Sequence, residues 1–378
     1  MISMRIPYSL PMNYTQLANP RILDQPIYTP GKPIEKVAEQ FGLAEHEIVK
    51  LASNENPWGA SPHALEKAKG ALDQVHLYPD GSGTFLLERL ASKFSLSNEH
   101  FILGNGSNEI IELLGHVFIG ENDEIIFGEH AFAVYKLVTL LMGGQPVSAR
   151  MPNLTHNLTL IRESINSKTK IIFLPSPNNP TGTANSKDEI YSFIETMPEH
   201  VILCLDEAYS EYLDDPPDIR PFIQSGKKVI GLRTFSKIHG LAGLRIGYGY
   251  GSKEMISLLQ KARQPFNANS IAQAAAIAAL EDEDWVLQCR RRNENGLRQV
   301  EQGLQNLDLE YVPSQANFIL VNLGNGRKAF EALQRKGVIT RPMPGELARY
   351  LRLSIGTEIE NEKALAALEE IVPLLDHP

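Results

Sequence analysis

Cysteine is scarce in this chain, and it has neither basic clusters nor long apolar runs. Only two cysteines, Cys204 and Cys289, occur in 378 residues, which excludes a disulfide scaffold. Acidic side chains outnumber basic ones by 45 to 36, so the charge pattern disfavours nucleic-acid binding. No run approaches the roughly 18 apolar residues of a membrane span, and Arg5, Pro7 and Pro11 interrupt the N-terminal apolar residues. We therefore expect a cytoplasmic protein without nucleic-acid or membrane partners.

Several common sequence signatures of enzymes are also missing. The glycine clusters never satisfy G-x-G-x-x-G, and the P-loop pattern G-x-x-x-x-G-K-[ST] does not occur. The motifs H-E-x-x-H and G-x-S-x-G are absent as well. A dinucleotide fold, a P-loop enzyme, a zinc protease and an α/β-hydrolase are therefore disfavoured, and no metal site is predicted.

The chain does contain short β-rich runs that alternate with amphipathic helical segments. The predicted strands are 124–127, 146–150, 170–174, 201–205, 228–232 and 245–250. Several are apolar throughout, as strands buried on both faces must be, which predicts an α/β fold with a mostly parallel sheet between helices. From about residue 269 the pattern predicts a smaller α+β domain. The expected division is an N-terminal arm and helix at 1–50, a large domain at 51–268 and a small C-terminal domain at 269–378.

Polar residues follow three of the predicted strands directly. The segments are SPNNPTGT (Ser176 to Thr183), DEAY (Asp206 to Tyr209) and RTFSKIHGLAGLRIGY (Arg233 to Tyr248). Open α/β sheets bind ligands beyond the carboxyl ends of their strands. Each segment alone is typical of an ordinary turn or a solvated loop. Together, in this order and each behind a strand, they predict one active site.

These segments resemble those of the aspartate aminotransferase superfamily of pyridoxal-phosphate enzymes, fold type I. The likeness extends from YTPGKPIEKV near Tyr28, through LASNENPWG and YPDGSG, to LRLSIGT near the end of the chain. Within the superfamily the chain is most similar to the histidinol-phosphate aminotransferase family. The resemblance implies a homodimer that uses pyridoxal 5'-phosphate. It also implies transamination of L-histidinol phosphate with 2-oxoglutarate, giving imidazole-acetol phosphate and L-glutamate, in histidine biosynthesis.

The resemblance assigns catalytic roles to residues behind the central strands. Lys237 matches the lysine that condenses with the aldehyde of the cofactor and later moves a proton at the α-carbon of the substrate. Asp206 matches the carboxylate that keeps the pyridine nitrogen protonated, so that the ring withdraws electrons. Tyr209 and Asn179 match the residues that hydrogen-bond the 3-oxygen of the ring.

The phosphate and the ring face of the cofactor have matching residues too. The implied cofactor-binding set, besides the four residues above, is Gly106, Ser107, Asn108, Phe132, Ser236 and Arg245. Gly106 to Asn108 precede a predicted helix, whose free N–H groups and dipole favour an anion. Phe132 matches the aromatic ring that stacks on the cofactor.

For substrate binding, the resemblance points to two arginines and two further residues, and it adds Tyr78 to the cofactor-binding set. Arg352 in YLRLSIGT matches the family's anion-binding arginine, and Arg341 in VITRPM lies eleven positions earlier. The planar guanidinium suits a carboxylate or a phosphate, because it donates two parallel hydrogen bonds. Tyr28 and Asn54 match substrate-pocket residues. Tyr78 matches the tyrosine that reaches the cofactor phosphate of the other subunit.

One departure from the family leaves the substrate open. Glu129 and His130 stand where many histidinol-phosphate aminotransferases have Pro-Thr or Pro-Ser before the aromatic residue. An aromatic amino-acid aminotransferase is therefore an alternative, and a threonine-phosphate decarboxylase that uses the same cofactor is a more distant one. A non-catalytic, cofactor-binding regulator would need an added DNA-binding segment. The roughly 30 residues before the resemblance begins are too few for such a domain and contain no basic helix.

Overall fold

The structure, a computed structural model, describes residues 13–23, 25–27 and 31–375. Its helices are α1 (Tyr14–Leu17), α2 (Pro20–Leu23), α3 (Ile34–Phe41), α4 (Pro62–Ala71), α5 (Thr84–Phe94), α6 (Ser107–Phe118), α7 (Val134–Met142), α8 (Leu158–Glu163), α9 (Lys187–Glu195), α10 (Arg220–Gln224), α11 (Lys253–Ala262), α12 (Ser270–Glu281), α13 (Glu283–Asn306), α14 (Gly326–Arg335) and α15 (Glu358–Ile371). No helix in these ranges is both long enough and apolar enough to cross a membrane.

The strands form one large sheet and two smaller ones. They are β1 (Val49–Lys50), β2 (Phe101–Gly104), β3 (Glu124–Gly128), β4 (Gln145–Ala149), β5 (Thr169–Pro175), β6 (Ile202–Asp206), β7 (Val229–Thr234), β8 (Gly247–Gly251), β9 (Tyr311–Val312), β10 (Phe318–Asn322), β11 (Val338–Ile339), β12 (Arg341–Pro342) and β13 (Tyr350–Ser354). The six predicted strands of the large sheet are present, and every predicted end lies within two residues of the observed one. Strand β2, which sequence analysis did not predict, joins them at one edge.

The large sheet is mostly parallel, as predicted. Its strand order is β2-β8-β7-β6-β5-β3-β4. The neighbouring pairs from β7 to β4 are parallel, whereas β8 runs antiparallel to both β7 and β2. Strands β5, β6 and β7 therefore end at the same edge of the sheet, and the three polar segments follow them there.

Helices cover both faces of this sheet. Along β5, Ile172 and Leu174 belong to one apolar cluster, whereas Ile171 and Phe173 belong to another. Successive side chains of a strand point to opposite faces, so the two clusters are the two sides of one sheet. The three-layer α/β architecture predicted from the apolar runs is confirmed.

The C-terminal part contains a four-stranded sheet with the order β12-β13-β10-β9. Its antiparallel register pairs Arg341 with Arg352. The N-terminal strand β1 pairs with β11 in parallel, so the start of the chain packs with this part of the molecule. Helix α12, by contrast, contributes Ala272 and Ala276 to a cluster of the large sheet. The predicted domain boundaries at 50 and 268 remain a prediction, and this packing favours a division after α12.

Candidate active site

The carboxyl ends of β5, β6 and β7 surround a cavity of about 570 Å³. Nine residues that the sequence assigned to cofactor binding line it: Ser107, Asn108, Phe132, Asn179, Asp206, Tyr209, Ser236, Lys237 and Arg245. They come from five separate stretches of the chain, and the parallel sheet brings these stretches to one edge.

Lys237 lies three residues beyond the end of β7 and is half-buried. Its Nζ donates a hydrogen bond to the carbonyl oxygen of Ser53, over 3.1 Å, and lies 5.6 Å from the centre of the Tyr209 ring. A lysine amine beside an aromatic face, in a cavity, is positioned to act as a nucleophile. Ser53 was not predicted from the sequence.

Asp206 is the last residue of β6 and is buried. Burial raises the pKa of its carboxyl to about 6, although hydrogen bonds from Tyr135 and from the backbone N–H of Ala208 oppose this effect. The Tyr135 hydroxyl donates to Oδ2 over 2.7 Å, and the Ala208 N–H donates to Oδ1 over 3.2 Å. A cation bound in the cavity would hold this carboxylate in its charged form.

Tyr135 is a site residue that the sequence analysis missed. It is completely buried, and its ring stacks on Phe173 with centroids 4.7 Å apart. It also meets Phe132 edge-on at 5.8 Å. The signal that could have revealed it is its spacing: Tyr135 follows Phe132 by three residues, and its backbone N–H donates to the Phe132 carbonyl oxygen over 3.2 Å in the turn that leads into α7.

The N-terminus of α6 forms an anion cradle that lines the cavity through Ser107 and Asn108. Gly106 precedes this helix with φ 75°, a conformation that favours glycine, and a Cβ at this position would collide with the guanidinium of Arg245. Arg245 donates from Nη1 to Oγ of Ser236 over 3.0 Å. The cradle thus combines helix N–H groups, a hydroxyl and a fixed positive charge.

The two predicted arginines lie on adjacent strands of the C-terminal sheet. Because Arg341 and Arg352 are register partners, their side chains leave the same face of the sheet. Arg352 donates to Oδ1 of Asn179 over 2.5 Å and to the carbonyl oxygen of Ala52 over 2.6 Å. The guanidinium of Arg352 lies 5.4 Å from the centre of the Phe318 ring, so this cation is anchored beside the cavity.

Asn54 joins the C-terminal part of the molecule to the cavity. Its Nδ2 donates to the hydroxyl of Tyr209 over 2.9 Å, and its backbone has φ 55°. Ser354 bonds both the backbone and the side chain of Asn54. Ser354, which sequence reasoning did not single out, thereby becomes part of the site's hydrogen-bond network.

Two predicted site residues do not join this group. Tyr78 is 83% exposed and stacks on Phe266 with ring centroids 4.8 Å apart, outside the cavity. Tyr28 lies outside the described residues. The family's role for Tyr78 requires a second subunit, so a single chain cannot bring it to the cofactor phosphate.

The residues that depart from the family pattern lie near the site without lining the cavity. His130 Nε2 is 3.9 Å from a carboxylate oxygen of Glu129 and 3.9 Å from one of Glu346. The carbonyl oxygen of His130 accepts a hydrogen bond from Asn178, over 3.1 Å. The pair therefore connects the loop after β3 to the segment that contains Asn179.

The site has the groups that pyridoxal 5'-phosphate requires. A buried carboxylate, Asp206, the anion cradle and the Lys237 amine all line the same cavity. The missing Cβ of Gly106 leaves room for Arg245 beside the helix terminus. Donor types and their placement therefore fit a flat, phosphorylated, cationic ring compound.

Comparison with known proteins shows the family. Residues 46–368 match the family described as aminotransferase class I and II, and the chain belongs to it. It is similar to the histidinol-phosphate aminotransferase of Akkermansia muciniphila, with 42% identity over 96% of this chain and 100% of that protein. Histidinol-phosphate aminotransferase 2 of Pseudomonas fluorescens is also 42% identical, over 95% of this chain and 98% of that protein.

Solved structures share the fold. The histidinol-phosphate aminotransferase of Sinorhizobium meliloti, in complex with pyridoxal-5'-phosphate, has a TM-score of 0.85 at 25% identity and covers 94% of this chain and 98% of its own. Aspartate aminotransferase from Thermus thermophilus with maleate has a TM-score of 0.78 at 25% identity, over 94% and 99% of the two chains. The family and fold expected from the sequence motifs are confirmed.

Proposed function

We propose that this protein is a pyridoxal-phosphate-dependent aminotransferase that acts on L-histidinol phosphate. With 2-oxoglutarate as the amino acceptor, it would form imidazole-acetol phosphate and L-glutamate, a step of histidine biosynthesis. The similarity to histidinol-phosphate aminotransferases over nearly the whole chain supports this reaction. The cavity and its donor set support the cofactor.

Different residues of the chain would have different roles in this reaction. Bound pyridoxal 5'-phosphate would supply an aldehyde that takes up an amino group and a ring that withdraws electrons. Asp206 would pair with the protonated ring nitrogen, while Asn179 and Tyr209 donate to the ring 3-oxygen. Lys237 Nζ would hold the aldehyde at rest and move the proton at the substrate α-carbon.

The observation that carries the substrate assignment is the cross-strand pair of arginines. Histidinol phosphate has no carboxylate, so its phosphate must occupy the anion site at Arg352, and glutamate must use the same site with its carboxylate. Arg341 is the register partner of Arg352 and places a second guanidinium on that face. Two forked cations suit a phosphate dianion better than they suit a single carboxylate.

Substrate competition tests the proposal. We expect kcat/KM for histidinol phosphate to exceed that for phenylalanine at least about a hundredfold, equivalent to roughly 2.7 kcal/mol. The Arg341→Ala variant should lower this ratio, because it should reduce kcat/KM for histidinol phosphate more than kcat/KM for phenylalanine. Arg327→Ala, which removes an exposed arginine paired with Glu331, is the matched control and should leave the ratio unchanged. Equal or better use of phenylalanine by the unmodified enzyme would instead identify an aromatic aminotransferase.

The covalent role of Lys237 has its own test. Borohydride reduction of the protein loaded with pyridoxal 5'-phosphate should attach the cofactor permanently to Lys237. Peptide mapping then shows which lysine carries this label. A label on another lysine would refute the assignment. Lys237→Ala should fold normally and lose essentially all transamination.

We further propose that two copies of the chain form a cytoplasmic homodimer with shared active sites. The segment 72–85 exposes large apolar side chains, including Leu77 at 56%, Tyr78 at 83% and Phe85 at 69%. Exposed apolar surface of this kind is typical of a protein interface. A second copy seated there would cover these residues and could receive Tyr78 in its cofactor site.

A further inference from the structure

Ser354 ends the strand that contains Arg352. Side chains two apart on a strand leave the same face, so Ser354 points to the same side of β13 as the anion-binding arginine. It is 3% exposed, and Asn54, which it touches, is 1% exposed. The contact therefore lies in the interior, where a lost hydrogen bond is not replaced by water.

Two hydrogen bonds join Ser354 to Asn54. The backbone N–H of Asn54 donates to Oγ of Ser354 over 2.9 Å, and the Ser354 hydroxyl donates to Oδ1 of Asn54 over 2.9 Å. With its oxygen held by Ser354, the amide presents Nδ2 to the Tyr209 hydroxyl, also over 2.9 Å. The serine thus selects one of the two orientations that an asparagine amide can adopt.

The backbone of Asn54 is held as firmly as its side chain. Its φ of 55° lies in the left-handed region, which costs free energy for a residue with a Cβ. Asn317 Nδ2 donates to the Asn54 carbonyl oxygen over 3.0 Å, and Asn317 also bonds Ile355 through its own carbonyl oxygen. The C-terminal part of the molecule therefore fixes Asn54 from both sides.

This arrangement decides what the Tyr209 hydroxyl can do. Because its oxygen accepts from Asn54 Nδ2, its single hydrogen is left to donate elsewhere, and Tyr209 lines the cavity. With the amide reversed, Oδ1 would face Tyr209 and take up that hydrogen instead. The observed orientation makes Tyr209 a donor toward the cavity.

We propose that Ser354 is a positioning residue that acts through Asn54 to keep the Tyr209 hydroxyl donating into the cofactor cavity. The inference rests on the proposed function, in which Tyr209 donates to the 3-oxygen of the cofactor ring. Strand β13 would then serve two purposes: Arg352 binds the substrate anion, and Ser354 maintains the hydrogen bond to the 3-oxygen of the cofactor ring.

The expected signature is a change in the pH titration of the bound cofactor. Donation to the ring 3-oxygen stabilises the negative charge on that oxygen, so the bound cofactor takes up its proton at a lower pH. In Ser354→Ala the donation weakens, and the pH midpoint of the absorbance change of the resting holoenzyme should rise by about 0.5 to 1 unit, the effect of one hydrogen bond. The titratable or charged groups around Tyr209, all unchanged in this variant, are Tyr135, Asp206, Tyr212, Lys237, Cys289 and Arg352.

Three further variants make the test specific. Ser354→Thr keeps the hydroxyl and should restore the midpoint. Tyr209→Phe should raise the midpoint by itself, and adding Ser354→Ala to it should produce no further rise. Thr340→Val removes a buried hydroxyl from the same part of the molecule, one with no partner among the described residues, and should leave the midpoint unchanged.

Each outcome decides the matter. An unchanged midpoint in Ser354→Ala, with a raised one in Tyr209→Phe, would overturn the inference and leave the proposed function intact. Failure of the unmodified protein to bind pyridoxal 5'-phosphate would overturn both. If Ser354→Ala does not fold, Ser354→Cys, with nearly the same volume and a weaker donor, should shift the midpoint in the same direction, and no shift would refute the role.

Discussion

A buried tyrosine supports the carboxylate that the proposed chemistry needs most. Tyr135 donates to Asp206 from a ring locked between Phe132 and Phe173. The hydrogen bond favours the charged form of Asp206, whereas burial favours the neutral form and raises its pKa to about 6. Without cofactor, therefore, the Asp206 carboxyl is partly neutral in mildly acidic solution.

Removal of the Tyr135 hydroxyl should make cofactor binding more sensitive to acid. A carboxyl is neutral below its pKa, so a further rise in the pKa of Asp206 reduces the charged fraction as the pH falls toward 6. In Tyr135→Phe we expect the dissociation constant for pyridoxal 5'-phosphate to rise about 3- to 10-fold at pH 6.5, and little at pH 8.5. Binding titrations at several pH values measure this.

A second buried tyrosine provides the matched control. Tyr250 donates to Glu207 over 2.7 Å, and Glu207 does not line the cavity. Tyr250→Phe should lower the free energy of unfolding without changing how the dissociation constant for pyridoxal 5'-phosphate depends on pH. If Tyr135→Phe shows the same pH dependence as the unmodified protein, Asp206 does not depend on this donor.

At the scale of elements, the anion cradle depends on how closely helix α6 approaches Arg245. The helix begins at Ser107, and Gly106 before it has a backbone conformation that side chains rarely adopt. The close approach matters because N–H groups and the helix dipole act on an anion only within the first turn.

Gly106→Ala should damage the cradle beyond its effect on the backbone. The added Cβ must displace the Arg245 guanidinium, so we expect cofactor affinity to fall at least about tenfold, or roughly 1.4 kcal/mol. Gly226→Ala is the control, because Gly226 also has a positive φ, of 85°, but has open space around it. Both variants should lose unfolding free energy through the backbone, but only Gly106→Ala should lose cofactor affinity, and equal cofactor affinity in the two would contradict the cradle.

At the scale of the whole molecule, one predicted contact depends on a second copy of the chain. Tyr78 is exposed and stacks on Phe266 away from the cavity. If Tyr78 reaches the cofactor phosphate of the other subunit, the site is complete only in a dimer.

Mixed dimers test the shared site. Tyr78→Phe and Lys237→Ala subunits, combined, place both defects in one site and leave the other intact. We expect the mixed dimers to recover, in one site per dimer, the activity and cofactor affinity of the unmodified protein. Mixed dimers no better than either parent would place Tyr78 outside the partner's site, and a monomeric mass by light scattering would contradict the homodimer itself.

The large sheet and the polar residues that follow its strands could be predicted from the sequence. Apolar runs and turn residues are local signals, and the parallel sheet places Asn179, Asp206 and Lys237 at one edge. Strand β2, which has four residues, was not predicted. Short apolar stretches of that kind are not specific to strands.

The sequence by itself determined the fold class, the family and the order of the cofactor-binding segments, because periodicity and motif spacing are properties of neighbouring residues. Only the tertiary structure decided that Arg341 faces Arg352, that Tyr135 donates to Asp206 and that Ser354 holds Asn54. Ser354 and Asn54 are 300 positions apart in the chain. Contacts over such separations follow from strand register and helix packing, which no local pattern specifies.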